Sequence, residues 1–300
     1  MHFLAGWIVK KSFDFNAEAL ARLAGADVAR ALAEDMGEGD LTAALIDPAH
    51  PAHAHVLARE SAVLCGTAWF EAAVHQLDPG AELTWQMRDG ERCAPGQVVV
   101  EMRGNARALL SAERTALNFL QLLSAVATKT ARHVAEVEGT KARIVDTRKT
   151  LPGLRLAQKY AVRTGGGTNH RVGLYDAVLI KENHIAAAGG IRQVLAQAAK
   201  IAAEADFVEI EVETLAQLQE ALAAGAAMVL LDNMDLPTLR EAVRLTAGRA
   251  VLEISGGVTL AGLRELAETG VDRISIGALT KDVQATDFSM RFEALPGGHG

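Results

Sequence analysis

Apolar residues recur at spacings of three and four through "NAEALARLAGADVARALAEDMG" (16–37), which predicts a helix stopped at Gly37. The stretches "HAHVLARESAVLCG" (53–66), "AELTWQM" (81–87) and "GQVVVEMRG" (96–104) are strand-like and bounded by Gly and Pro. "WFEAAVHQL" (69–77) reads as a short helix between the first two. A long helix follows from about Leu109 to Val137, with Leu109, Leu117, Leu120 and Val126 on its buried side. This half reads as a small α+β domain.

The second half is rhythmic. Apolar strands are predicted at "RIVD" (143–146), "AVLI" (177–180), "FVEIEV" (207–212), "MVLL" (228–231), "AVLEIS" (250–255) and "RISIG" (273–277). The last four begin roughly 21–22 residues apart. Amphipathic segments such as "TLAQLQEALAAG" (214–225) and "TLAGLRELAETG" (259–270) lie between them. Strand–helix alternation with short loops implies a parallel sheet with right-handed crossovers. Six or more such units favour a (β/α) barrel, complete or broken, over an open doubly wound sheet. The fold class expected is therefore α/β, an incomplete (β/α) barrel with an N-terminal α+β domain. The expected boundaries are 1–118 and 119–285, with the tail 286–300 rejoining the first domain.

Composition changes the picture little; half the 300 residues are apolar, enough for a sizeable core. Charge changes it more. The chain is acidic at −7, yet 141–181 carries nine basic residues against Asp146 and Asp176. A local cationic window in an acidic protein points to a small polyanion and argues against nucleic acid. Two cysteines without a CxxC fit a reducing cytoplasm. "FLAGWIV" (3–9) is too short for a membrane span and does not read as a signal peptide. A soluble cytoplasmic protein is expected.

In a barrel, the residues just after each strand share the rim that carries active sites. Here they include Arg148 and Lys149, Lys181, Glu211, Asp232, Ser255 to Gly257, and Ser275 to Gly277. The two glycine-rich turns follow the last two strands, where barrels often bind phosphate through backbone N–H groups. Glu211 and Asp232 suit a hydrated Mg²⁺ bridging to phosphates, ribose hydroxyls, or partnership with nearby cations. Arg148 offers a planar fork matched to carboxylate or phosphate, and Lys149 a mobile point charge. His170 and Arg171 follow three glycines, which lets the backbone curl around a ligand. Lys181, held directly by a strand, calls for an anionic partner. Arg114, on periodicity alone, is an ordinary helix arginine, and Arg155, Lys159 and Arg163 suit solvated or structural helix cations.

"HPAHAH" (50–55) lacks an obvious third and fourth metal ligand, and "EDMGEGDLT" (34–42) reads as a capped, solvated loop. No nucleophile triad, Walker loop or dinucleotide fingerprint is legible.

Taken together, "ALAEDMGEGDLT", "ERTALNFLQLLSAVAT", "DTRKTLPGLRLAQKYAVRTGGGTNHRVGLYDAVLIKENH", "VEIEVET", "LLDNM" and "ISGGV" resemble the quinolinate phosphoribosyltransferase family, from about Ala31 to Gly277. The resemblance implies phosphoribosyl transfer from phosphoribosyl pyrophosphate to quinolinate with Mg²⁺. The products would be nicotinate mononucleotide, pyrophosphate and CO₂, for NAD synthesis. It also implies an incomplete barrel of about seven strands, in a homodimer whose site borrows from the partner. By motif, Arg148, His170, Arg171 and Lys181 would hold the quinolinate carboxylates, with Lys149 and Lys181 near the pyrophosphate. Glu211 and Asp232 would face ribose and Mg²⁺. Ser255, Gly256 and Gly257 with Ser275, Ile276 and Gly277 would cradle the 5′-phosphate, and Arg114 would enter the other subunit's site. Two alternatives stand beside this reading: a sister transferase acting on nicotinate, and a silent barrel that senses a phosphorylated metabolite.

Overall fold

The computed structural model describes residues 13–293, so "FLAGWIV" lies outside the described residues. Contacts divide the chain into two units that interleave along the sequence. Of the described residues, one holds 14–131, 151–166 and 279–293; the other holds 13, 132–150 and 167–278.

The first unit opens with α1 (Ala17–Met36). The Asn16 side chain accepts from the Ala19 N–H at 2.9 Å, a cap whose loss typically costs about 1 kcal/mol. Gly37, at φ 53°, ends the helix as the pattern predicts. The buried stripe of α1 includes Asp27, whose carboxylate accepts from the indole Nε1–H of Trp69 at 2.9 Å. Trp69 lies on α2 (Thr67–Leu77). The strands are β1 (Pro51–Ala58), β2 (Ala62–Val63), β3 (Glu82–Trp85), β4 (Arg92–Cys93) and β5 (Val98–Asn105). Helix α3 (Ala106–Glu136) carries the chain out of this unit, and Leu109, Leu117, Leu120 and Val126 are all buried. Helix α4 (Arg155–Thr164) belongs here too; its Lys159 is fully buried while Arg163 stacks on Phe15. The last strand of the chain, Phe288–Glu293, pairs antiparallel with β1 and gives the order last strand, β1, β5, β3. That pairing explains "HPAHAH": His53 and His55 share one face of β1 and both contact Glu293, at 2.7 and 3.1 Å. Asp40, in the acidic loop, accepts from the Thr42 and Ala43 N–H groups and from Ser111, as a cap does.

The second unit holds six parallel strands: β6 (Arg143–Val145), β7 (Val178–Ile180), β8 (Val208–Val212), β9 (Met228–Asp232), β10 (Val251–Ser255) and β11 (Arg273–Ser275). Their order is β6-β11-β10-β9-β8-β7. Thr168 adds one parallel bridge to Val145 on the outer side of β6. Counting that bridge as a rudimentary strand gives seven positions, with a seam between Thr168 and β7. The helices α5 (Glu182–Ala188), α6 (Ile191–Ile201), α7 (Leu215–Ala223), α8 (Leu236–Thr246) and α9 (Leu263–Glu268) join the strands. Side-chain caps set two of their starts: Thr214 accepts from Gln217 N–H and Asp235 from Thr238 N–H. Leu218, Ala221, Leu239, Ala242, Leu263 and Ala267 bury their inner faces.

Candidate active site

Side chains alternate across a strand, so Glu209 and Glu211 on β8 share one face, as do Glu253 and Ser255 on β10. Glu209 and Glu253 approach each other although β9 lies between their strands, which requires the concave face of a curled sheet. The polar residues of these strands therefore point into the bore. They form two layers separated by two residues along each strand, roughly 6–7 Å.

The lower layer is buried. His170 Nε2 lies 2.9 Å from Glu209 and 3.5 Å from Glu253, and Arg273 Nε lies 2.6 Å from Glu253. Both carboxylates are wholly buried, and Glu209 Oε1 and Glu253 Oε1 each lack a hydrogen-bond partner. Burial first, and the Glu253 charge second, push the Glu209 carboxyl up from 4.5 to about 7. Among the described residues this is the single group of three close metal-ligating side chains. The imidazole argues against a metal there. Its Nδ1 accepts from the Arg171 N–H at 2.8 Å, so the ring proton sits on Nε2, where a metal would bind.

The upper layer lies at the rim. Lys181, directly after β7, is an exposed N-cap of α5 with its ammonium 3.2 Å from Glu211. The anionic partner expected for it is therefore present, but the lysine is nearly half exposed rather than deep. Asp232 sits beside Ser255 in register and accepts from Asn233 at 2.9 Å. Gly256, at φ +95°, runs so close to Asn233 that a Cβ would stand 2.3 Å from its Oδ1. A Cβ on Gly277 would stand 2.9 Å from Lys149 Cδ, so Lys149 folds across the turn after β11. Ser275 and Ile276 belong to the sheet itself: the hydroxyl donates to Ile254 O at 3.2 Å, and Ile276 N–H to Val145 O at 2.9 Å. Gly277 is where the chain leaves the sheet.

Arg148 and Arg171 are both half-buried and close enough to interact. The Arg171 guanidinium is held below its usual range by burial first and by Arg148 second, with Asp176 and Glu209 pulling the other way. Two like charges held together in this way suit a ligand carrying adjacent negative charges. The glycine run is used differently from the expectation. Gly165 lets α4 approach α3, since a Cβ there would stand 2.4 Å from Ala127 O, and Gly166 turns the chain at φ +85°. The second unit thus gathers Arg148, Lys149, His170, Arg171, Lys181, Glu211, Asp232, Ser255 to Gly257 and Gly277 around one bore and rim. Arg114 is exposed on α3 in the other unit. Glu209, Glu253 and Arg273 line the bore but are not among the site residues read from the sequence. The available signal was charged residues inside apolar strands, where only a polar bore can hold them.

Replacing Glu209 by Gln should stabilise the protein at pH 8 and do so progressively less toward pH 5.5. The folded carboxyl is protonated below about 7, the unfolded one only below about 4.5. Between those values the folded state binds more protons, so wild-type stability falls as pH rises. Glutamine does not titrate and removes that loss. Thermal melts of both proteins at the two pH values check it; a difference that does not vary with pH would refute the assignment.

Comparison with known proteins agrees along nearly the whole chain. Residues 40–124 match the family model of the quinolinate phosphoribosyl transferase N-terminal domain, and 126–291 that of its C-terminal domain. The chain is 42% identical over 257 residues to a probable carboxylating nicotinate-nucleotide pyrophosphorylase of Bacillus subtilis (strain 168), covering 86% of this chain and 89% of that one. It is 41% identical over 273 residues to the carboxylating nicotinate-nucleotide pyrophosphorylase of Mycobacterium leprae (strain TN), covering 88% and 95%. The solved nicotinate-nucleotide pyrophosphorylase of Francisella tularensis superposes with a TM-score of 0.88 at 42% identity, covering 91% and 97%.

Proposed function

The chain belongs to the quinolinate phosphoribosyltransferase family, and we infer that it transfers the phosphoribosyl group of phosphoribosyl pyrophosphate to quinolinate with loss of CO₂. The products are nicotinate mononucleotide, pyrophosphate and CO₂, in de novo NAD synthesis. The observation that carries this reading is the Arg148–Arg171 pair beside the lysines of the rim. Two half-buried guanidiniums match a pyridine dicarboxylate, which carries two adjacent charges.

Chemically, the bond from the anomeric carbon to pyrophosphate breaks, and its electron pair leaves with pyrophosphate. The ring nitrogen donates its lone pair to the same carbon. The alkylated ring, now cationic, accepts the electrons of the adjacent carbon–carboxylate bond as CO₂ departs, and a proton replaces it. No covalent enzyme intermediate is required. Arg148 and Arg171 orient the carboxylates; Lys149 and Lys181 face the pyrophosphate. Ser255 to Gly257 and Gly277 receive the 5′-phosphate, with Ser275 and Ile276 fixing the start of that turn. His170 forms the floor under Arg171.

Glu211 and Asp232 fit a hydrated Mg²⁺: both are half-buried carboxylates at the mouth, which suits an ion that keeps most of its waters. When bound, the ion neutralises charge on the departing pyrophosphate. The same carboxylates lie where positive charge develops on the ribosyl group. A homodimer, with Arg114 completing the partner's site, and a cytoplasmic setting complete the proposal. The two free, buried thiols, Cys65 and Cys93, suit a reducing compartment. No helix among the described residues is long and apolar enough to cross a membrane.

The test is an assay with quinolinate, phosphoribosyl pyrophosphate and Mg²⁺, scoring CO₂ and nicotinate mononucleotide. Turnover of nicotinate alone would reject the substrate, and tight binding without pyrophosphate release would reject catalysis. A second expectation concerns the phosphate turn. Gly256→Ala places a Cβ against Asn233 and strains a left-handed residue, at about 1–3 kcal/mol. It should lower the denaturation midpoint and raise the KM for phosphoribosyl pyrophosphate more than that for quinolinate.

A further inference from the structure

Strands β9 and β10 stop together. Asp232 and Ser255 are their last paired residues, and the chain then turns at Asn233 on one side and at Gly256 and Gly257 on the other. The two glycines take φ +95° and +58°. Asn233 takes φ 52°, a left-handed conformation that is costly for most side chains and that asparagine tolerates best. The other described non-glycine residue with a positive φ, Ala247, ends helix α8, where such a residue is usual. Asn233 instead ends a strand, at the rim.

The Asn233 carboxamide faces two ways. One end lies 2.9 Å from Asp232 Oδ2. An ionised carboxylate only accepts, so that end is the Nδ2–H donor. Oδ1 therefore lies against the Gly256 turn, in the volume that a Cβ would need, 2.3 Å from its position. Asn233 is exposed, so burial of its side chain does not account for the backbone it adopts. Residues held in sparsely populated backbone regions collect where geometry serves a ligand. Here the amide stands between the carboxylate that faces ribose and the turn that receives the 5′-phosphate.

We propose that Asn233 is a positioning residue for the sugar phosphate. It holds the Asp232 carboxylate and the Gly256 turn at a fixed separation, so that ribose and 5′-phosphate are gripped as one unit. The proposal rests on the function inferred above and concerns the same site. Its physical reason is preorganisation. An unheld carboxylate rotates about its last bond, and the amide donor removes that freedom before the ligand arrives. With Oδ2 committed to the amide, Oδ1 is the oxygen that meets the ribose hydroxyls. The same amide, from its other end, keeps Gly256 from drifting toward β9.

The test uses the full-length protein and Asn233→Gly, which keeps the left-handed backbone without strain and removes only the amide. Calorimetry in Mg²⁺-free buffer measures binding of nicotinate mononucleotide, which carries ribose and 5′-phosphate. Its affinity should fall on the order of tenfold, while that for quinolinate stays within about twofold of wild type. An unchanged affinity for nicotinate mononucleotide, equal weakening of both ligands, or a wild-type protein that binds no nicotinate mononucleotide would overturn the proposal. Asp232→Ala supplies the second arm. If Asn233 acts through Asp232, adding Asn233→Gly to that variant should cost less than about threefold more. A full further loss would mean that Asn233 touches the ligand itself, and would overturn the positioning role. If Asn233→Gly does not fold, Asn233→Asp decides: it keeps the shape but loses the donor, and should weaken nicotinate mononucleotide at least as much. These readouts need no turnover. Absence of CO₂ release from quinolinate would sink the functional reading and still leave the sugar-phosphate comparison readable, so the two failures are separable.

Discussion

Lys181→Ala is expected to lose on the order of 10²–10³ in kcat/KM while melting close to the wild-type temperature. Both halves follow from where the residue stands. Lys181 follows β7 and caps α5, and its side chain is nearly half exposed, with its ammonium 3.2 Å from Glu211. The lysine end of the pair is solvated although Glu211 is largely buried, so the pair adds only modestly to stability. Its removal, however, leaves the Glu211 charge uncompensated at a mouth that must receive two anionic substrates. The effect should grow with the charge of the ligand. Lys181→Arg should not restore full activity, because a broad planar fork does not replace a compact ammonium. Steady-state kinetics with thermal denaturation check this. An Ala variant within a few-fold of wild type, or one that loses activity only because it unfolds, would remove Lys181 from the site.

Arg114→Ala should be inactive as well, and equal mixing of Arg114→Ala and Lys181→Ala chains should restore about a quarter of wild-type activity. In a mixed dimer, one site would combine the intact Lys181 of one chain with the intact Arg114 of the other, while the second site would lack both. Random pairing makes about half the dimers mixed. The reason to place Arg114 at an interface is its helix face: Leu110, Arg114 and Asn118 recur at spacing four and all are exposed. An exposed leucine beside an arginine on a long helix suits a second copy of the chain. Co-expression with two affinity tags isolates the mixed species. Mixed dimers without recovery would show that Arg114 does not complete the partner's site.

Much of this protein was legible before any coordinates. The strand at "AVLEIS", the helix at "TLAQLQEALAAG" and the stop at Gly37 follow from local pattern, because periodicity and caps are properties of neighbouring residues. The rim residues were legible for a related reason: once strands are located in a parallel barrel, the positions after them must share one end. Other features depended on distant partners. The strand Phe288–Glu293 alternates apolar and polar residues, but its partner β1 lies more than two hundred residues earlier, and the alternation does not name that partner. The glycines at 165 and 166 looked suited to wrapping a ligand, whereas Gly165 serves close helix packing.

By itself, the order of residues determined the alternation of strand and helix, the cationic window and the rim positions, since each rests on spacing along the chain. Tertiary structure alone decided which charges meet. Glu209 joins a histidine 39 residues away, Glu253 joins an arginine 20 residues away, and Lys181 takes Glu211 as its partner. Glu253–Arg273 and Lys181–Glu211 meet across neighbouring strands of the sheet, whereas His170 reaches both Glu209 and Glu253 because the curled sheet brings β8 and β10 together across its concave face. There, low polarity makes every unpaired charge costly and so selects its partner.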